Sequence, residues 1–82
     1  MEAIKLIWDI RSLDAQVVTD DLIVNLKNYI KENQIENTEV GFETIMSHYH
    51  VVYLKTTKNY MIELRDKFTP DRGEYLRFYY LE

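Results

Sequence analysis

The strongest constraint on the fold of this chain is the order in which its hydrophobic periodicity changes along the sequence. Apolar residues that alternate with period two indicate a strand, and apolar residues that recur with a period near 3.6 indicate a helix. The two patterns follow one another in six segments, at residues 4–10, 15–30, 38–46, 50–56, 60–68 and 74–81. The chain therefore predicts the element order strand, helix, strand, strand, helix, strand.

Two connections between these segments differ in how clearly the sequence marks them. The alternating segments 38–46 and 50–56 together exceed an ordinary strand of about 5–6 residues, which predicts a hairpin near residues 47–49. No Asn-Gly or Gly-Gly pair marks that hairpin, so one long bent strand is the alternative. The connection between the second helix and the last strand is marked more clearly, because Pro70 ends the helix and residues 70–73 have the composition of a turn.

This element order is that of the split βαβ, or ferredoxin-like, plan. Right-handed connections would then give an α+β sandwich, with a four-stranded antiparallel sheet and two helices on one of its faces. The first and third strands should be central. The residues expected to pack between sheet and helices are Ile4, Leu6, Trp8, Phe42, Val52, Leu54, Leu76 and Phe78.

Composition limits the class of protein. The 82 residues are 46% hydrophobic and 13% aromatic, which argues against disorder and suits one domain spanning residues 1–82. Without cysteine the chain has no disulfide and no zinc–cysteine site. The start has no signal-peptide pattern, and no run approaches the ~20 apolar residues of a membrane helix. We expect a soluble cytoplasmic protein that needs no cofactor and does not enter a membrane.

The sheet face opposite the helices is the first candidate site. Its large side chains are expected to be mainly aromatic or aliphatic, and contiguous patches of that kind often mark interfaces. Tyrosine and arginine are also enriched at interface hot spots. The predicted contact residues are Ile7, Val51, Tyr53, Tyr75, Arg77 and Tyr79. The simplest partner is a second copy of the chain, packed sheet against sheet, and another protein is the alternative.

The loops at one end of the predicted sheet form the second candidate site. The topology brings together the first strand–helix link, the central hairpin and the turn after the second helix. The residues there that suit a small anionic ligand are Arg11, Ser12, His48, His50 and Arg72. His48 and His50 also have the spacing of a metal-binding pair, but the chain has only these two histidines and we expect no metal site.

Two families with the same element order were compared by their motifs. Acylphosphatases carry a Gly-rich, Arg-containing loop after the first strand, where this chain has WDIRSLDA. RNA-recognition motifs place a basic residue, glycine and alternating aromatics in the third strand, and HYHVVYL lacks that pattern. The net charge of −4 also argues against nucleic acid. We therefore expect an interaction domain, with a small enzyme or anion-binding protein as the alternative.

Overall fold

The computed structural model of the chain describes residues 2–77. Its elements follow the predicted order. They are β1 (Glu2–Arg11), α1 (Ala15–Glu32), β2 (Glu39–Met46), β3 (Tyr49–Thr56), α2 (Lys58–Phe68) and β4 (Arg72–Arg77). Within this part of the chain, neither helix combines the length and apolar character needed to cross a bilayer.

The four strands form one antiparallel sheet in the order β2-β3-β1-β4. The first and third strands are therefore central, as predicted, and β2 and β4 lie at the edges. Both helices contribute to one core on a single face of the sheet. This arrangement is the α+β ferredoxin-like fold that the sequence predicts.

The core is built from alternate residues of the central strands and one stripe of each helix. Leu26 of α1 and Leu64 of α2 are fully buried against Leu6, Trp8 and their neighbours. The indole Nε1 of Trp8 donates a hydrogen bond of 2.9 Å to the carbonyl oxygen of Phe68. That bond satisfies a carbonyl at the end of α2, which the helix itself cannot pair. Trp8 thus fixes the end of α2 against β1.

The central hairpin is confirmed, with its turn at Ser47 and His48 between β2 and β3. One long bent strand, the alternative, is therefore wrong. The pairing of β2 with β3 is regular from Glu39 to Thr44 and then shifts before Met46. The shift leaves Ile45 as the extra residue of β2 next to the turn.

The predicted face of the last strand is wrong. Tyr75 lies opposite the core residue Ile4, so its side chain is on the helix-covered side and not on the opposite face. Both alternating sets of residues 74–81 contain three apolar or aromatic side chains and one charged one, so the pattern alone could not choose between the faces. The turn decides the register, because the Asp71 amide donates to the carbonyl oxygen of Ile7 at 2.8 Å and sets Arg72 opposite Ile7.

Three of the predicted core residues, Phe42, Leu76 and Phe78, are not found buried in the core of the described residues. The register puts Leu76 opposite Ala3 instead of opposite a core residue, and Phe78 is outside the described residues. Phe42 faces the helices but is 43% exposed, because β2 is an edge strand that α1 covers incompletely. The remaining predicted core residues of β1 and β3 are buried.

Candidate functional site

The sheet face turned away from α1 and α2 is not covered by any helix of residues 2–77, and we call it the uncovered face. Because directly paired residues share a face, the strand register defines its members. They include Ala3, Lys5, Ile7, Asp9 and Arg11 of β1; Glu39, Gly41 and Glu43 of β2; Tyr49, Val51, Tyr53 and Lys55 of β3; and Arg72 and Glu74 of β4.

Tyr53 is held in place by two lysines and a glycine. The ammonium groups of Lys5 and Lys55 lie 4.8 and 5.6 Å from the centre of its ring, within the range of cation–π attraction. The far end of the ring crosses strand β2 at Gly41, where any side chain would collide with the ring and hydroxyl of Tyr53. Glycine at this position therefore lets the tyrosine lie flat across the sheet toward its β2 edge.

Asp9 is the centre of a second group on the uncovered face. Its carboxylate accepts hydrogen bonds from the Arg72 guanidinium at 3.1 and 3.2 Å and from the Tyr49 hydroxyl at 2.9 Å. These bonds hold the pKa of Asp9 below its ordinary value, and the hydrogen bonding to Arg72 has the largest effect. The same pairing raises the pKa of Arg72. Asp9 therefore stays ionised and links three strands.

Tyr49 also contacts a cation. The Arg11 guanidinium carbon lies 4.3 Å from the centre of the Tyr49 ring, while the hydroxyl of the same ring donates to Asp9. Both tyrosines of β3 are thus restrained by neighbours before any partner binds. A restrained aromatic loses little conformational entropy on binding, which favours its use as a contact residue.

The aliphatic residues of the uncovered face have different roles. Val51 is half-buried and lies in β3 between Tyr49 and Tyr53. Ile7 is on the same face but only 2% exposed, because Tyr53 and Arg72 flank it in the neighbouring strands. Ile7 therefore supports the face, and Val51 is the aliphatic residue that a partner can touch.

The charges of the uncovered face are balanced. Its described residues include four cations and four acids, although the whole chain carries a net charge of −4. The excess negative charge therefore belongs to residues outside this face. Because the charges balance, the net charge of the face does not repel a second copy.

The predicted interface residues are brought together only in part. Val51 and Tyr53 are accessible on the uncovered face, and Ile7 lies beneath its surface. Tyr75 is on the helix side, the Cα of Arg77 lies opposite Glu2, and Tyr79 is outside the described residues. Sequence reasoning missed Tyr49, although the alternation of Tyr49, Val51, Tyr53 and Lys55 was a signal for it.

The predicted anion-binding residues do not all lie in one place. Arg11 and His48 line a pocket of about 490 Å³ at the central hairpin. The Ser12 amide donates to the His48 carbonyl oxygen at 3.0 Å, so Ser12 lies beside them. Arg72 is instead paired with Asp9. These placements leave Arg11 as the cation of the pocket.

His50 does not lie in the hairpin pocket, because its position in β3 places it on the other side of the sheet. It lies opposite Ile10 on the helix-covered side, is 3% exposed, and stacks on Phe42 with ring centres 6.2 Å apart. Its Nδ1 is buried and has no hydrogen-bond partner among residues 2–77. Two residues at even spacing share a face only when both lie in the same strand. His48 lies in the turn and His50 in β3, so their two-residue spacing does not place the histidines on one face.

No group of three or more potential ligating side chains within residues 2–77 is arranged to hold a metal ion. Comparisons with protein-family models, curated proteins and solved structures found no match to the chain. The geometry of the uncovered face and of the hairpin pocket is therefore the basis for a functional proposal.

Proposed function

We propose that this domain is a non-enzymatic interaction module that binds a second copy of the chain through the uncovered face. The observation that carries the proposal is the pair of tyrosines on β3, each held by a cation on a sheet face that no described helix covers. Val51 lies between them and is the expected centre of the contact.

The character of the face supports this proposal. Aromatic residues and arginine are enriched at the centres of protein interfaces, and Tyr49, Tyr53 and Arg11 lie on one face. The balance of cations and acids means that a second copy can approach without the repulsion expected elsewhere on an acidic chain. Packing two such faces would also stabilise a small domain through added burial.

The test is the solution mass measured by light scattering over a concentration series, with Val51→Lys as the main variant. A lysine at this position would lie opposite Asp9 and Glu43, so the monomer should tolerate it, while its charge would enter the centre of the contact. We expect Val51→Lys to weaken self-association at least roughly tenfold.

The matched control is Val24→Lys, which makes the same change at an exposed position on α1. It should associate as the native chain does, and far-UV circular dichroism should show that both variants are folded. A native chain that stays monomeric at high micromolar concentration would exclude a second copy as the partner. Equal association of the two variants would exclude the uncovered face.

A second candidate function is binding of a small anion at the hairpin pocket. The observation that favours it is that Arg11 and His48 line the same pocket. Titration with inorganic phosphate, followed by NMR, should then shift the His48 ring and the Ser12 amide and leave the buried His50 ring unchanged. An absence of shifts at His48 and Ser12 would exclude phosphate as a ligand of this pocket.

A further inference from the structure

Strand β2 is an edge strand whose regular part runs from Glu39 to Thr44, before the register shift at Met46. Edge strands are usually kept short or protected by lysine or proline. The eight residues of β2 include neither, and its described neighbour is β3 alone. Phe42, Ile45 and Met46 of this strand are 43, 48 and 68% exposed. An accessible apolar edge of this length is suited to pairing with another strand.

We propose that β2 pairs antiparallel with β2 of a second copy, in the register that puts the two Phe42 residues opposite each other. The β2 edge adjoins the uncovered face and shares Gly41, Glu43 and Tyr53 with it, but pairing at this edge does not depend on the function proposed for that face. The two sheets would form one continuous eight-stranded sheet, with all helices on the same side.

The charges of β2 disfavour two alternative registers. With the two Phe42 residues opposite each other, Glu43 lies opposite Gly41 of the second copy, and Val40 lies opposite Thr44. Moving the centre to Gly41 would place Glu39 opposite Glu43, and moving it to Glu43 would place the two Glu43 residues opposite each other. Like charges directly opposite each other destabilise a strand pair. The register centred on Phe42 avoids both contacts.

Tyr53 supplies a hydrogen-bond donor that fits the same register. Its hydroxyl lies over Gly41, close to the free edge of the sheet. Glu43 of the second copy would face that glycine and so come within reach of the hydroxyl. Glu43 is exposed in the single chain. The two-fold symmetry of the pair makes this hydrogen bond twice.

The aromatic contact at the centre also favours a second copy. One face of the Phe42 ring stacks on His50, and the side chain remains 43% exposed at the edge. In the proposed pair the two Phe42 rings meet on the helix side of the sheet, at the two-fold axis. Cross-strand aromatic pairs of this kind stabilise antiparallel pairing.

The register can be tested by cross-linking, because the chain contains no cysteine. Residues directly opposite in an antiparallel pair have Cα atoms about 4.5–5.5 Å apart, which a disulfide can span. Phe42→Cys should therefore form a covalent dimer when oxidised glutathione accepts the electrons of the two thiols. Thr44→Cys is the matched control, because its copies would lie about 13 Å apart.

We expect rapid dimer formation by Phe42→Cys and little by Thr44→Cys. In light scattering, Tyr53→Phe should raise the dissociation constant at least roughly tenfold, because two hydrogen bonds to a carboxylate are lost. Equal cross-linking of the two cysteine variants, or a dissociation constant unchanged by Tyr53→Phe, would overturn the proposed register.

A combined variant separates this inference from the proposed function. Phe42→Cys should still cross-link when Val51→Lys is also present, because Val51 does not lie at the β2 edge. If cross-linking fails while Val51→Lys dissociates the native assembly, the edge pairing is wrong and the uncovered face remains. If cross-linking persists while Val51→Lys has no effect on mass, the edge pairing remains and self-association through the face is wrong.

Discussion

The guanidinium of Arg72 donates two hydrogen bonds to the carboxylate of Asp9, from Nε to Oδ2 at 3.2 Å and from Nη2 to Oδ1 at 3.1 Å. The Asp9 amide in turn donates to Oδ2 of Asp71 at 2.7 Å. These bonds join β1 to the first residues of β4. They also explain why the last strand has the register that places Tyr75 opposite Ile4, on the helix-covered side of the sheet.

Stability should depend on the ionisation of Asp9. Its pKa is lower in the folded chain than the ordinary value of 3.8, so folding favours the ionised form. The stabilisation from this group is complete above the unfolded pKa and is lost as the pH falls through the lower folded pKa. We therefore expect the free energy of unfolding to fall below about pH 4, measured by urea denaturation with Trp8 fluorescence.

Asp9→Asn isolates this contribution. The variant should be less stable than the native chain at pH 7, and its stability should fall less steeply below about pH 4. Asp21→Asn, at an exposed position of α1, is the control and should follow the native profile. If the free energy of unfolding of Asp9→Asn depended on pH as steeply as that of the native chain, other carboxyl groups would be responsible for the loss of stability in acid.

The contact between Gly41 and Tyr53 predicts a non-additive pair of substitutions. Gly41→Ala should lower the free energy of unfolding by about 1–2 kcal/mol, because the new methyl group displaces the Tyr53 ring. In a Tyr53→Leu background the same change should cost much less. Urea denaturation of the four variants measures the coupling. A cost of Gly41→Ala that is equal in both backgrounds would mean that the ring does not limit this position.

The buried ring of His50 predicts that an apolar replacement is tolerated. His50→Leu removes Nδ1, which has no partner in the described part of the chain, but it also removes the stacking on Phe42. We expect the free energy of unfolding at pH 7 to rise by between zero and about 1 kcal/mol. His48→Leu, at an exposed position, should change it by less than about 0.5 kcal/mol. A loss above about 1 kcal/mol in His50→Leu would indicate a bond to the ring that the described contacts do not include.

Hydrophobic periodicity was sufficient to predict the element order, the two central strands and most of the core. In β1 and β3 the alternation is unambiguous on the core side, where Leu6, Trp8, Val52 and Leu54 are apolar and buried. Burying one face of such a strand excludes any odd shift in register. The ends of the second helix were also marked locally, by the change to helical spacing after Thr57 and by Pro70.

The candidate site was less predictable because it depends on contacts distant in sequence. Both alternating sets of residues 74–81 are mainly apolar or aromatic, so the face of the last strand was decided by the hydrogen bonds of Asp71 and Arg72 to β1. The placement of Tyr49 beside Asp9 and Arg11, and of Tyr53 across Gly41, required the pairing of three strands. Periodicity within a segment is a local property that the sequence by itself determines. Which side chains meet across the sheet was decided only in the tertiary structure, where register and turn geometry act together.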